Sequence, residues 1–376
     1  MDIESLMKKN LSRRDCLELF ENEDDFFDIM KAADELRRDI VGDTVTYIIN
    51  GNINYTNICT CGCRFCAFAR AASSPDAYFM TPDQVAEKAL RFRRAGATEI
   101  CLMGGRNPKT DTYYQAELVR KIKAAAEPEG GILIHGFSPQ DILTGAENAG
   151  LDVRSAIMIL KEAGLSTMPG VAAEILVDDI RKELCPGKVS VSEWEDIIRT
   201  AHRCGVKTTS TIMYGHIESN EDRAEHLWRL RKIQEETGGF TEFILLPFLP
   251  ENTEFIRTGR VKGAASGLTD MKMTAVSRLF FKDTIRNIQV PWVKLGVKFA
   301  QTCLKCGGND FSGSMMEDDI SVAAGASYGT FMTRSMYEDA IRQIGRIPQE
   351  RNTFYEPVTG KIRIARTTCG RHDFSE

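Results

Sequence analysis

No run in this chain approaches the roughly 20 consecutive apolar residues that a membrane span requires, and none reads as a transmembrane segment. Met1 to Arg14 has no apolar core of the kind a secretory leader carries. Positive charge is not in excess: 48 Lys and Arg stand against 53 Asp and Glu, a formal net charge of −5. That balance gives no electrostatic attraction to nucleic acid or to an anionic membrane. Fine repeats and low-complexity tracts are missing too. Cysteines at disulfide spacing are also lacking, because the eleven present are clustered rather than spread. A cytoplasmic location, where thiols stay reduced, is the expectation. The remaining composition, 43% hydrophobic and 27% charged, is that of an ordinary globular chain.

What is present centres on Gly51 to Arg70, GNINYTNICTCGCRFCAFAR. Cys59, Cys63 and Cys66 form a C-x3-C-x2-C set, with the ring of Phe65 just before the last thiol. Three thiolates this close cannot all bridge one another, but they suit three corners of a [4Fe–4S] cluster. The fourth iron is then open to S-adenosylmethionine (SAM), which can chelate it and be cleaved to a 5′-deoxyadenosyl radical. The plain alternatives are a zinc knuckle or free core thiols. Zinc sites close with a second cysteine or histidine pair, and none follows nearby. Cys61 offers a fourth sulfur, but its use would break the spacing, so it is expected as a bystander at the loop surface. Cys303-x2-Cys306 lacks a partner pair and is not read as a second metal site.

Residues 4–41 read as two amphipathic helices without chemistry, an N-terminal cap over 1–43. Val45 to Ile49 is a strand that delivers the cysteine loop. Strands then recur at Glu99–Met103, Ile132–His135, about Met168, Lys207–Met213 and Glu242–Phe248. Helices ended by glycine separate them, as at Pro82 to Ala95, Val153 to Ala163 and Glu193 to Cys204. This alternation predicts an α/β fold, a TIM-type (β/α) barrel with a core of six βα units over 44–258. Gly259 to Gly267 reads as a linker to an extension, 259–376, that packs on the barrel and completes it towards eight. Within the extension, Val290 to Leu295 is strand-like and Cys306 to Ser314 reads as a loop.

Active sites of parallel barrels lie at the carboxyl ends of strands, and the polar motifs fall there. Gly104 and Gly105 permit close backbone approach to the amino group of SAM. His135 and Ser138 share one rim, and Glu174 is placed to hydrogen-bond ribose hydroxyls. Tyr214, His216 and Glu218 are spaced two apart, on one face of a persisting strand. His216 or Tyr214 would move protons, unless the histidine only satisfies a buried carbonyl. Asn309 and Asp310 sit in a loop able to wrap a polar substrate.

Asn52 to Asn57, His135 to Pro139, Met168 to Leu176, Cys185-Pro186 with Lys188, and Thr211 to Glu218 together resemble one branch of the radical SAM superfamily. That branch holds the menaquinone-pathway futalosine enzymes and the second subunit of deazaflavin (F0) synthase. Leu246-Pro247-Phe248, Asn287 to Lys294, Gly307 to Asp310 and Gly345 to Pro348 look most like the deazaflavin subunit. The resemblance implies cleavage of the Cα–Cβ bond of L-tyrosine and transfer of its 4-hydroxybenzyl group to 5-amino-6-(D-ribitylamino)uracil, with 2-iminoacetate leaving. It implies Cys59, Cys63 and Cys66 as cluster ligands and Phe65, Gly104, Gly105, Glu174 and Glu218 about SAM. It further implies Tyr55, Ser138, Asn309 and Asp310 about substrate, and His135, Tyr214 and His216 in proton transfer. The first deazaflavin synthase subunit and a reductant such as ferredoxin or flavodoxin are the implied partners. Met103, Gly136, Ser312 and the extra Cys61 depart from the pattern. The rivals are a futalosine-pathway enzyme and, in another class, a non-catalytic iron–sulfur or electron-transfer protein.

Overall fold

The β-branched run ahead of Asn50-Gly51 does not turn at that dipeptide but runs straight through it. β1 (Thr44–Ile48) and β2 (Asn50–Asn54) are one extended strand interrupted only at Ile49. The computed structural model describes residues 8–358. Within them follow β3 (Glu99–Met103), β4 (Leu133–Gly136), β5 (Thr167–Met168), β6 (Lys207–Tyr214) and β7 (Phe240–Pro247). The last three are β8 (Ile288–Gln289), β9 (Asp310–Gly313) and β10 (Ile347–Glu350).

All these strand pairings are parallel, and β3 to β9 neighbour one another in chain order. An extended strand directs the backbone groups of alternate residues to opposite edges. On one edge of the first strand, Thr46 donates to the carbonyl of Asn309, and Ile48 and Asn50 accept from Ser314 and Met316. On the other edge Ile49 accepts from Thr98, and Tyr55 donates to Met103. The first strand therefore has β9 on one side and β3 on the other, and the ring closes. With β1 and β2 counted as one strand, the result is a closed eight-stranded barrel. β10 stands outside this ring, pairing with Thr44 to Tyr47 at the N-terminal end of the β3 edge.

The (β/α) barrel is as expected, and β8 and β9 from the C-terminal region complete it. Three local readings change. Val290 to Leu295 is not a strand: Pro291 lacks an N–H for the ladder, and a short helix, Trp292–Leu295, follows it. Asp310–Gly313, read as loop, is β9. The helix Pro139–Ala149 was not expected, although Ser138 and Asp141 form a full capping box ahead of it. The N-terminal helices Arg13–Glu21 and Phe26–Val41 pack on the barrel flank against helix Gly267–Phe281. Lys272 ties them there through the carbonyls of Phe20 and Asn22, at 3.1 and 2.6 Å. No helix among the described residues is long and apolar enough to cross a membrane.

The barrel interior is polar at its floor. Arg351, just after β10, is buried there and donates to Asp310 at 2.5 Å and to Glu242 at 3.3 Å. Asp310 also accepts from Thr46 and from the Ser312 amide, at 2.6 and 2.8 Å. Glu242 accepts from Gln289 at 2.8 Å and from the Tyr355 hydroxyl at 2.6 Å. Arg351→Met should strand the Asp310 carboxylate in the interior and cost about 3–5 kcal/mol. Denaturant unfolding measures this, and a variant within about 1 kcal/mol of wild type would show that Arg351 is dispensable.

Candidate active site

Inside the carboxyl end of the barrel lies a cavity of about 370 Å³. The strand ends and the cysteine loop enclose it together. The loop is folded back onto the strand that delivers it. Asn57 holds the Tyr78 amide and the Asp76 carbonyl, each at 2.8 Å. Cys59 donates to the Arg70 carbonyl, and Arg70 donates to that of Asn57. Gly104 and Gly105 make room for it: a Cβ at Gly105 would collide with Ile58 and Cys59, and one at Gly104 with the Tyr55 ring.

Cys59, Cys63 and Cys66 are free thiols, and all three line the cavity. The Arg106 amide donates to Cys59 Sγ at 3.3 Å. A hydrogen bond from Cys61 is the largest influence holding the Cys59 thiol down, to about 5. Cys61 lowers Cys63 in the same way, with Lys188 assisting, whereas burial pushes Cys66 up. Three thiols on one wall beside a cation form a donor set that fits a cluster with three cysteine ligands. Cys61 is not at the loop surface: it is 3% exposed and sits between the sulfurs of Cys59 and Cys63. The loop turns it inward because its carbonyl accepts from Gly187, where a side chain would not fit. Cys303 and Cys306 lie outside the cavity, and among the described residues no group of His, Cys, Asp or Glu is placed to hold a single metal ion.

Glu174 lines the cavity and pairs with the Lys188 ammonium, which also lies 5.2 Å over the Phe65 ring. Burial opposes ionisation of Glu174, but Lys188 more than offsets it and its carboxyl lies below the usual range. The loop that carries Glu174 is strained, with left-handed φ of 68° at Ala172 and 40° at Glu174. Buried Arg181 holds it by donating to the carbonyls of Ala172 and Val189, at 3.0 and 2.5 Å. His135 faces the cavity with Nδ1 on the Thr167 hydroxyl at 2.7 Å, and burial keeps its pKa low and the ring neutral. Ser138 lies on the same wall and caps the helix Pro139–Ala149.

Five of the expected site residues point elsewhere. On β6 the cavity-facing positions are Thr209, Thr211 and Met213, so period-two spacing puts Tyr214 on the outer face. Its hydroxyl donates to Asp270 on the outer helix at 2.7 Å. His216 is turned inward on its own loop: Nδ1 accepts from Ile217 at 2.7 Å and Nε2 donates to the Met213 carbonyl at 3.0 Å. Burial lowers its pKa, so its contact with Glu218 is not an ion pair. Glu218 accepts from the amides of Gly215 and His216, at 2.6 and 2.8 Å, and from Arg223. Asn309 is bound to Arg278 and the Ile288 amide, and Asp310 to Arg351; neither reaches the cavity. Tyr55 makes a sixth: fully buried, it donates to Asp141 at 2.8 Å and backs Gly104.

The cavity instead gathers polar residues that sequence reasoning passed over: Asn50, Asn52, Glu99, Glu242, Gln289 and Lys294. Each lies on, or just after, a strand entering the barrel. Alternation along those strands was the available signal.

A closed parallel barrel with three thiols on the loop after its first strand defines the class, that of the radical SAM enzymes. Residues 53–229 match the Radical SAM superfamily, and residues 237–363 match the CofH/MqnC C-terminal region. The chain is 55% identical over 358 residues to 5-amino-6-(D-ribitylamino)uracil–L-tyrosine 4-hydroxyphenyl transferase 1 of Methanococcus maripaludis, covering 95% of this chain and 100% of that protein. It is 49% identical over 356 residues to the transferase of that name from Methanocaldococcus jannaschii, covering 95% and 99%. Among solved structures, methylornithine synthase superposes with a TM-score of 0.66 at 18% identity, covering 92% of this chain and 96% of that one. The hydrogenase maturase HydG gives 0.71 at 16%, covering 92% and 75%; these two likenesses show the fold alone. The chain belongs to the radical SAM superfamily, in the family of the 5-amino-6-(D-ribitylamino)uracil–L-tyrosine 4-hydroxyphenyl transferases.

Glu242 gives the cavity floor a titration near neutrality. Burial pushes its carboxyl up to about 7; Arg351 only partly offsets this, and the neighbouring charge of Asp310 adds to the rise. Between the ordinary value of 4.5 and about 7, the folded chain keeps a proton that the unfolded chain has released. Stability from this group therefore falls as pH rises through that window. Glu242→Gln should flatten the fall. Melting midpoints from pH 5 to 8 test this, and identical slopes in both proteins would contradict it.

Proposed function

We propose that this chain cleaves the Cα–Cβ bond of L-tyrosine and transfers the 4-hydroxybenzyl group to 5-amino-6-(D-ribitylamino)uracil, releasing 2-iminoacetate in deazaflavin (F0) biosynthesis. The observation that carries the reading is that one cavity joins three cluster-competent thiols, an apolar wall and a polar floor. Identity of about half with the named transferases, end to end, supports the same substrates.

Cys59, Cys63 and Cys66 would hold the cluster, with Glu174, Gly104, Gly105 and Phe65 around SAM. Bound together, cluster and SAM would supply the radical chemistry that starts the reaction at tyrosine once an electron is delivered. The chain's own work is binding, orientation and exclusion of water. Lys188 and the Arg106 amide offset thiolate charge. Ile244, Leu246 and Val293 give the phenol ring an apolar wall. Glu99, Glu242, Gln289 and Asn50 offer donors and acceptors to a pyrimidine and its ribityl hydroxyls. His135, which burial keeps neutral, would accept a proton there. A cytoplasmic setting, a ferredoxin- or flavodoxin-type reductant and the first deazaflavin synthase subunit as consumer of the product complete the proposal.

Anaerobic incubation with SAM, reductant, tyrosine and ribityl-diaminouracil, followed by mass analysis, tests the reaction. The expected products are 5′-deoxyadenosine, 2-iminoacetate or its hydrolysis product, and the coupled adduct. Adduct formation with a futalosine-pathway substrate instead would replace this reading. Cleavage of SAM on reduction separates it from a non-catalytic iron–sulfur protein.

Two variant sets follow from the site. Alanine at Cys59, Cys63 or Cys66 should abolish iron–sulfur absorbance, while Cys61→Ala should keep it; loss of the cluster in Cys61→Ala would revise the ligand set. His216→Gln should lower stability but leave the ratio of 5′-deoxyadenosine to adduct unchanged. A fall in coupling of roughly 10²-fold or more, the cost of a positioned acid or base, would return His216 to the mechanism.

A further inference from the structure

Four cations line the central cavity among the described residues: Arg106, Lys188, Lys294 and Arg351. Three are committed within the protein. Arg106 donates to the Gly187 carbonyl at 3.3 Å and pairs with Glu147 at 3.4 Å. Lys188 pairs with Glu174, and Arg351 with Asp310 and Glu242. Only the Lys294 ammonium makes no hydrogen bond or ion pair with any described residue, although the Lys294 amide donates to the Pro291 carbonyl at 3.1 Å. Burial lowers its pKa, and Asp318 and Glu251 act on it only through space. Asp318 is occupied in capping the helix Asp319–Ala324 through the Ser321 amide at 3.2 Å.

The position of Lys294 is nonetheless fixed. It lies on the short helix Trp292–Leu295 directly after β8. The Trp292 indole N–H anchors that helix to the Gly313 carbonyl and the Tyr337 hydroxyl, at 3.0 and 2.7 Å. Lys294 is half-buried in the cavity wall, and its unpaired ammonium is available to an anion that enters the cavity. Ribityl-diaminouracil carries no anionic group, and a tyrosine phenol with its ordinary pKa near 10 is neutral at pH 7. Carboxylates remain, one on tyrosine and one on SAM. The residues proposed to hold SAM follow the first strand, β3 and β5. Lys294 follows β8, with β6 and β7 between it and β5 on one side of the ring and β9 between it and the first strand on the other. Its neighbours Pro291, Val293 and Leu249 line the cavity as an apolar surface suited to an aromatic ring.

We propose that Lys294 binds the carboxylate of the amino-acid substrate and thereby orients tyrosine with its ring on the adjoining apolar wall. The inference rests on the tyrosine reading above. The test titrates anaerobic, cluster-loaded protein with L-tyrosine, with tyramine, which lacks the carboxylate, and with SAM. Wild type should favour tyrosine over tyramine by roughly 10- to 100-fold, as expected of a charge-assisted hydrogen bond. Lys294→Met should bring that ratio close to one with SAM affinity unchanged, and Lys294→Arg should keep most of it. Lys294→Gln, which preserves a polar side chain, gives the same comparison should Met disturb cluster loading. A ratio retained in Met and Gln variants overturns the inference and leaves the proposed function standing. Loss of SAM affinity instead assigns Lys294 to the cofactor and overturns it equally. Failure of wild type to bind tyrosine removes the proposed function and the inference together.

Discussion

Everything at the mouth of this barrel depends on the first strand being paired along both edges. Thr44 to Asn54 hydrogen-bonds to the β9 side through its even-numbered residues and to β3 and β10 through its odd-numbered ones. Without the C-terminal strands the core would be an open sheet with an unpaired edge beside the cysteine loop. Closure buries that edge and fixes the direction in which the chain leaves β2. The loop then has little freedom: Asn57, Arg70 and the two glycines after β3 hold it against the ring. The thiols are thus preorganised by strand pairing far from the sulfur atoms themselves.

Closure also creates a cost that the floor network answers. A parallel barrel is a packed core, not a pore, yet this one keeps carboxylates, amides and a guanidinium inside. Asp310, Glu242 and Arg351 come from β9, β7 and the segment after β10, so the network can form only once distant parts of the chain have met. Breaking such a buried pair is far more costly than the pair is stabilising, and the arrangement selects for a single register. It seals the lower end, so a polar substrate entering from the mouth meets a finished surface and not bulk water.

The barrel was legible because alternating strands and glycine-ended helices leave a strong periodic trace. Glu99–Met103 and Val153–Ala163 match their expected bounds. The two-residue strands β5 and β8 leave almost none, and the run after β8 misled because Pro291 permits no ladder bond. The cysteine ligands were legible because their chemistry is local in sequence. Which face a strand residue takes is not. Tyr214, His216 and Glu218 share the spacing of a catalytic trio, but a one-residue difference in phase puts Thr209, Thr211 and Met213 inside. Asn309 and Asp310 look like a substrate loop only until Arg278 and Arg351, distant in sequence, are seen to claim them.

These cases suggest how to separate polar residues that build the fold from those left for chemistry. Tyr214, His216, Glu218, Asn309, Asp310 and Tyr55 each have protein partners for their polar atoms. None of these six lines the cavity, so each would have to break its hydrogen bond and turn before it could serve a ligand, which removes most of the gain. The cavity residues divide differently. Among the described residues the Lys294 ammonium has no hydrogen-bond or ion-pair partner, and Asn52 keeps a buried Oδ1 without one. Buried polar groups in a folded protein are rarely left so, and at a cavity wall a bound molecule can supply the missing contact. Residue type and strand-end position were good guides to the neighbourhood of the site. Unsatisfied hydrogen-bonding capacity, which only the assembled barrel reveals, is the better guide to the residues that act in it.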